Sequence, residues 1–199
     1  MPCDCSLEAQ NEKQLAVLKI LLVINAALFL MELIVGIYAD SAGVLADSLD
    51  MFADALVYGV GIYAVGKNAA EKNKAAKLSG YCQLSLAIVI LIELIRKVAY
   101  GSEPKSLPML LVSFAALIAN SVCLYLLSKE KSGDAHMRAS WIFTRTDVMA
   151  NAGVIVSAIL VALLKTRLPD LVIGGIILAL VLYGSYQILS DAPSTKPEG

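Results

Sequence analysis

The chain alternates long apolar runs with short polar segments. Apolar residues extend almost unbroken from Leu15 to Tyr38, Ala42 to Val65, Leu78 to Val98, Leu107 to Leu127, Ser140 to Leu164 and Leu171 to Leu189. Each run reaches the roughly 20 residues that an α-helix, rising about 1.5 Å per residue, needs to cross a bilayer core of about 30 Å. The polar segments between them are Ala39 to Ser41, Lys67 to Lys77, Gly101 to Ser106 with Pro104, Lys129 to Ala139, and Lys165 to Asp170. They are too short to fold as separate units. The pattern predicts an all-α, polytopic membrane domain of six transmembrane helices over residues 15–189. Residues 1–14 are expected to form a flexible cytoplasmic N-terminus. Residues 190–199, with Pro193 and Pro197 and no apolar periodicity, are expected to form a disordered cytoplasmic tail.

The positive charges suggest an orientation. One set of helix ends carries Lys13, Lys19, Lys67, Lys72, Lys74, Lys77, Lys129, Lys131, Arg138 and Lys196, whereas the opposite set carries only Arg96, Lys97, Lys105, Lys165 and Arg167. Cytoplasmic loops hold the excess of Lys and Arg, so both termini are expected in the cytoplasm. The N-terminus is polar and the first apolar run is too long for a signal-peptide core, so it reads as a first membrane helix rather than a cleaved leader.

Composition agrees with lipid as the main solvent: 58% of residues are hydrophobic and 17% charged. A net charge of −1 with no basic patch excludes nucleic acid as an expected partner. Cys82 and Cys123 fall inside apolar runs and read as small hydrophobes. Cys3 and Cys5 form a Cys-x-Cys that is either a pair of soft metal ligands or part of a disordered end.

The candidate chemistry lies in the ionisable residues inside the spans, which are costly there and mark function. Asp47, Asp50 and Asp54 are spaced three and four apart in the second run and share one helical face about two turns long. Three anions on one stripe repel, and that span contains no lysine or arginine, so protons, a cation from another helix or a metal ion must neutralise them. The fifth run supplies Asp147 and Asn151, again four apart and both oxygen ligands. Counting about 1.5 Å per residue from the two helix starts brings both sets near the bilayer midplane, where alternating-access transporters hold substrate. Asp50, Asp54, Asp147 and Asn151, with Asp47 beside them, form an oxygen constellation suited to a small divalent cation. The bland alternative is a set of interhelical hydrogen-bond partners holding the bundle together.

Other buried polar positions are Glu32 in the first span, Glu93 in the third and Asn120 with Ser121 in the fourth. Glu93 is expected to pair with Arg96 and Lys97. Glu32 has no local partner, and either lines the outer half of a pathway or carries a proton. Arg145 is expected to reach to the cytoplasmic interface, on a different face from Asp147. His136, the only histidine, reads as a solvated loop residue.

These residues resemble the cation diffusion facilitator family over nearly the whole chain. The match is carried by Gly43-Val44-Leu45-Ala46-Asp47-Ser48-Leu49-Asp50 followed by Asp54, and by Asp147 followed by Gly153-Val154. The resemblance implies six membrane helices and cytoplasmic termini, with Asp50 and Asp54 as metal ligands of the second helix. It also implies an exporter that exchanges zinc, cobalt, cadmium or a similar ion for protons, often as a homodimer, in a bacterial inner membrane. The family's fifth-helix histidine position is Phe143 here, which cannot ligate, and Asn151, one turn beyond Asp147, is the substitute that a short subgroup lacking the cytoplasmic C-terminal domain carries. Zinc leads on the resemblance alone; an oxygen-only site also accepts manganese or magnesium. Proton exchange would follow if the mutually repelling carboxylates take up protons when the metal leaves.

Three rival readings stand beside this one. An intramembrane aspartyl protease would need a Gly-x-Gly-Asp in a span, but Gly133-Asp134 lies in a loop, so no enzymatic activity is expected. A non-transporting accessory protein could use the polar stripe to bind a partner helix. A proton-coupled transporter of organic cations would need an aromatic-lined cavity; aromatics are 7% of the chain, with Phe52, Tyr58 and Phe143 the ones near the aspartates.

Overall fold

The computed structural model describes residues 4–65, 69–128 and 135–191. Cys3, residues 192–199, and the side chains of Cys5, His136 and Phe143 lie outside the described residues. The described chain forms six α-helices and no strand: α1 (Asp4–Tyr38), α2 (Ala42–Ala64), α3 (Ala69–Tyr100), α4 (Ser106–Ser128), α5 (Ala135–Leu164) and α6 (Leu168–Asp191). The all-α, six-helix expectation is met.

The boundaries differ from the apolar runs in a consistent way. α1, α3 and α5 each begin ahead of their apolar run, α3 taking in most of the Lys67–Lys77 segment and α5 the end of the Lys129–Ala139 segment. Ala, Glu and Lys are good helix formers. A hydropathy pattern therefore stops at the first charges while the helix continues past them. Within the long helices the apolar windows run over Glu12–Tyr38, Lys77–Tyr100 and Thr144–Leu164.

Five helices are long and apolar enough to cross a membrane, namely all except α2, which carries Asp47, Asp50 and Asp54. α2 meets its cost by burial. It packs against α1, α3, α5 and α6, and from Ser41 to Ala55 only Leu49 and Phe52 are less than fully buried. Helices α1, α2, α5 and α4 close a ring of successive contacts, and the α3–α6 pair lies against it through α2 and α5. Ile34, Ile92, Leu163 and Val172 stand exposed on the outside, as a lipid-facing surface requires.

Connections 39–41, 101–105 and 165–167 meet at one end of the bundle, called here the distal end. There the fully buried Lys97 ammonium pairs with Asp40. Glu103 N donates to Asp40 Oδ2 at 2.7 Å, Lys105 N to Ala39 O at 2.9 Å, and Arg167 Nη1 to Lys97 O at 3.0 Å. Glu93 pairs with Arg96 at 2.7 Å and lies 3.8 Å from Lys97, as its spacing suggests. Close approach of α2 and α6 depends on glycine: a Cβ on Gly174 would lie 3.2 Å from the Ala42 backbone, and one on Gly43 would lie 2.7 Å from Ile173.

Candidate metal site

All five residues singled out as ligands are buried: Asp47, Asp50 and Asp54 on α2, Asp147 and Asn151 on α5. Their helical spacing turns them inward, and the α2–α5 contact brings the Asp54 and Asp147 carboxyl groups against each other. Asp50 lies within electrostatic reach of both.

Asn151 Nδ2 donates to the Asp147 carbonyl at 2.9 Å, which turns Asn151 Oδ1 away with no hydrogen-bond partner. Asp147 Oδ2 also lacks one. Buried oxygen lone pairs without donors are costly unless a proton or a cation supplies the missing interaction. The site is thus rich in acceptors and poor in donors, the character of an oxygen cage for a hard cation.

One donor chain borders it. Tyr58 Oη donates to Asp54 Oδ2 at 3.1 Å and lies 2.8 Å from Thr144 Oγ1. Because the phenol proton goes to the carboxylate, the Thr144 hydroxyl donates to Tyr58 Oη, giving an ordered Thr144–Tyr58–Asp54 relay between α5 and α2. In the sequence Tyr58 stands out only as an aromatic near the aspartates. Its spacing of four from Asp54, and that of three between Thr144 and Asp147, were the available signals.

Asp47 has a different neighbour. One turn distal to Asp50, its carboxyl meets the Glu32 carboxyl of α1 within hydrogen-bond reach, and no other group donates to the four oxygens of this pair. Among the described residues no three Asp, Glu, His or Cys side chains already surround one point. The stripe is resolved into facing pairs, Asp54 with Asp147 and Glu32 with Asp47, with Asp50 between them.

Elsewhere, Asn120 donates to Met51 Sδ at 3.5 Å, tying α4 to α2, while Ser121 turns back to Leu117 O at 2.6 Å. Arg145 is exposed and lies over the Trp141 ring, away from the aspartates. Cys82 and Cys123 are free thiols, Cys123 within the apolar core.

Comparison with known proteins adds the family. The family model of the cation efflux transmembrane domain matches residues 18–195. The zinc transporter ZitB of Pectobacterium atrosepticum is 28% identical over 96% of this chain and 63% of its own length. The metal cation efflux system protein CzcD of Cupriavidus metallidurans is 24% identical over 95% of this chain and 63% of its own. A cadmium, cobalt and zinc/H(+)-K(+) antiporter of Bacillus subtilis is 22% identical over 96% and 65%. This chain belongs to the cation efflux family and is a multi-pass integral membrane protein. It spans less than two thirds of the length of these relatives.

Proposed function

We propose that this chain carries a divalent metal cation, zinc foremost, out of the cytoplasm in exchange for protons, using Asp50, Asp54, Asp147 and Asn151 as the transport site. The observation that carries the reading is the pair of buried α5 oxygens that lack donors, Asp147 Oδ2 and Asn151 Oδ1, beside the buried Asp50 and Asp54 of α2. Four oxygen ligands from two helices suit zinc, cobalt, cadmium or manganese, and the relatives named for zinc, cadmium and cobalt favour zinc.

Exchange follows from charge balance. Adjacent carboxylates in a low-dielectric site do not stay jointly ionised without a cation, so departure of the metal draws protons onto them and its return expels them. α2 contains no lysine or arginine that could neutralise them permanently. With the lysine-rich ends in the cytoplasm, the distal end faces outward, as a bacterial inner-membrane exporter requires.

The test is uptake of zinc, cobalt, cadmium and manganese into proteoliposomes under a proton gradient, comparing the wild type with Asp54→Ala and Asp147→Ala. Flux that is present in the wild type and lost in both variants supports the reading. A wild type that moves none of the four ions overturns it.

A further inference from the structure

The Glu32–Asp47 pair lies one turn distal to Asp50 and is fully buried. Both residues are 0% exposed, they come from different helices, and their carboxyl groups meet only each other, with no other hydrogen-bond partner for the four oxygens. Two facing carboxyl groups cannot both be ionised unless a proton or another cation lies between them. They demand a positive species.

The surroundings at that level point the same way. Counting about 1.5 Å per residue, Glu32 and Asp47 lie roughly 8 to 9 Å inward from the distal ends of α1 and α2. At roughly 10 Å inward, α4 carries Ser113 and α5 carries Ser157, both buried and both with an unpartnered hydroxyl. These are the four helices that close the ring. Each contributes a buried oxygen at about the same depth, the serine hydroxyls without any hydrogen-bond partner. Asp50, within electrostatic reach of both Glu32 and Asp54, connects this level to the transport site.

We propose that Glu32 and Asp47 form a second cation site, distal to the transport site, at which the exported ion pauses on its way out. The inference rests on the reading of the chain as a cation exporter with its main site at Asp50, Asp54 and Asp147. Two carboxylates do not strip a divalent ion completely. The ion keeps part of its water shell, as hard cations bound through one or two carboxylates do, and Ser113 and Ser157 offer hydroxyls to those waters. Such a site is weaker than the inner one, which suits release.

Manganese(II) is the probe, because its paramagnetic resonance reports free and bound ion directly. The full chain in detergent is titrated as the wild type, as Asp54→Asn/Asp147→Asn, as Glu32→Gln/Asp47→Asn, and with all four changes. The isosteric amides remove charge without opening a cavity, and retained helicity and a monodisperse elution profile show that each variant folds. The expected result is two bound equivalents in the wild type, loss of the tighter one in the inner double variant, loss of the weaker one in the outer double variant, and none with all four changes. If the outer double variant binds as many equivalents as the wild type, the second site does not exist. That holds also where only the pH dependence of flux changes, which would make the pair a proton carrier. If the wild type binds one equivalent that the inner changes abolish, the exporter reading survives and this inference fails. A wild type that binds none overturns both.

Discussion

The Ser41 hydroxyl donates to Asp170 Oδ1 at 2.6 Å, and the same carboxylate accepts from Ala42 N at 2.6 Å and Gly43 N at 3.0 Å. Ser41 is itself the N-cap of α2, its Oγ accepting from Val44 N at 3.0 Å. A carboxylate from α6 thus completes the cap of α2, where the helix dipole favours negative charge. The helix that carries the acidic stripe is anchored at its distal end by another helix.

Replacing Asp170 with alanine leaves two backbone donors and a hydroxyl buried without acceptors. Hydrogen bonds to charged groups contribute about 1.5 to 3 kcal/mol each, so a loss of at least about 2 kcal/mol is expected. Unfolding in mixed micelles by added SDS, followed by helical circular dichroism, measures it. Asp170→Asn, which keeps acceptor oxygen, is expected to fall between the wild type and alanine; a midpoint unmoved in both would show that the cap carries no weight.

Asp40 and Lys97 are unequal partners: the lysine side chain is 1% exposed and the aspartate 40%. Asp40→Ala strands a buried ammonium with only Glu93 at 3.8 Å, whereas Lys97→Met leaves a carboxylate that water can reach. Asp40→Ala is therefore expected to destabilise more than Lys97→Met, which keeps the buried side-chain volume and removes the charge that needs a partner. Partial burial pushes the Asp40 carboxyl up, but the Lys97 ammonium and the Glu103 N–H outweigh it and hold the group below the usual carboxylate range. A carboxyl lowered in the folded state contributes stability above its unfolded value and loses it as pH falls through the folded one. Comparing wild-type and Asp40→Asn midpoints, the gap should be constant near neutrality and close below about pH 4.

Two glycines should respond oppositely. A Cβ on Gly174 would meet the Ala42 backbone at 3.2 Å and its Cβ at 3.3 Å, while one on Gly59 would meet nothing within 4 Å. Gly174→Leu is expected to separate α2 from α6 and cost about 1 to 3 kcal/mol or more. Gly59→Ala, inside a helix with free space beside it, is expected to stabilise by about 0.5 to 1 kcal/mol. The same SDS titration decides both.

Phe143 stands one turn before Asp147, where the family resemblance places a histidine. Phe143→His adds an imidazole, which favours zinc over hard cations. The zinc-to-manganese flux ratio in proteoliposomes is expected to rise on the order of tenfold, the change that about 1.4 kcal/mol of added preference produces. An unchanged ratio would mean that position 143 does not face the ion.

The sequence by itself determined the six helices, because apolar runs of membrane-spanning length are local and self-announcing. It also determined the inward face of α2, since residues spaced three and four apart must share a side. Helix starts were displaced because hydropathy ends where charge begins, whereas helical hydrogen bonding does not. The pairing of carboxyl groups was another matter. Spacing along α2 treats Asp47, Asp50 and Asp54 as one stripe, and only the packing of α1 and α5 against different levels of that stripe assigned Asp47 to Glu32 and Asp54 to Asp147. The Asp170 cap and the Asp40–Lys97 pair likewise join residues 129 and 57 positions apart. Such contacts depend on which helix ends meet in space, and chain periodicity carries no record of that.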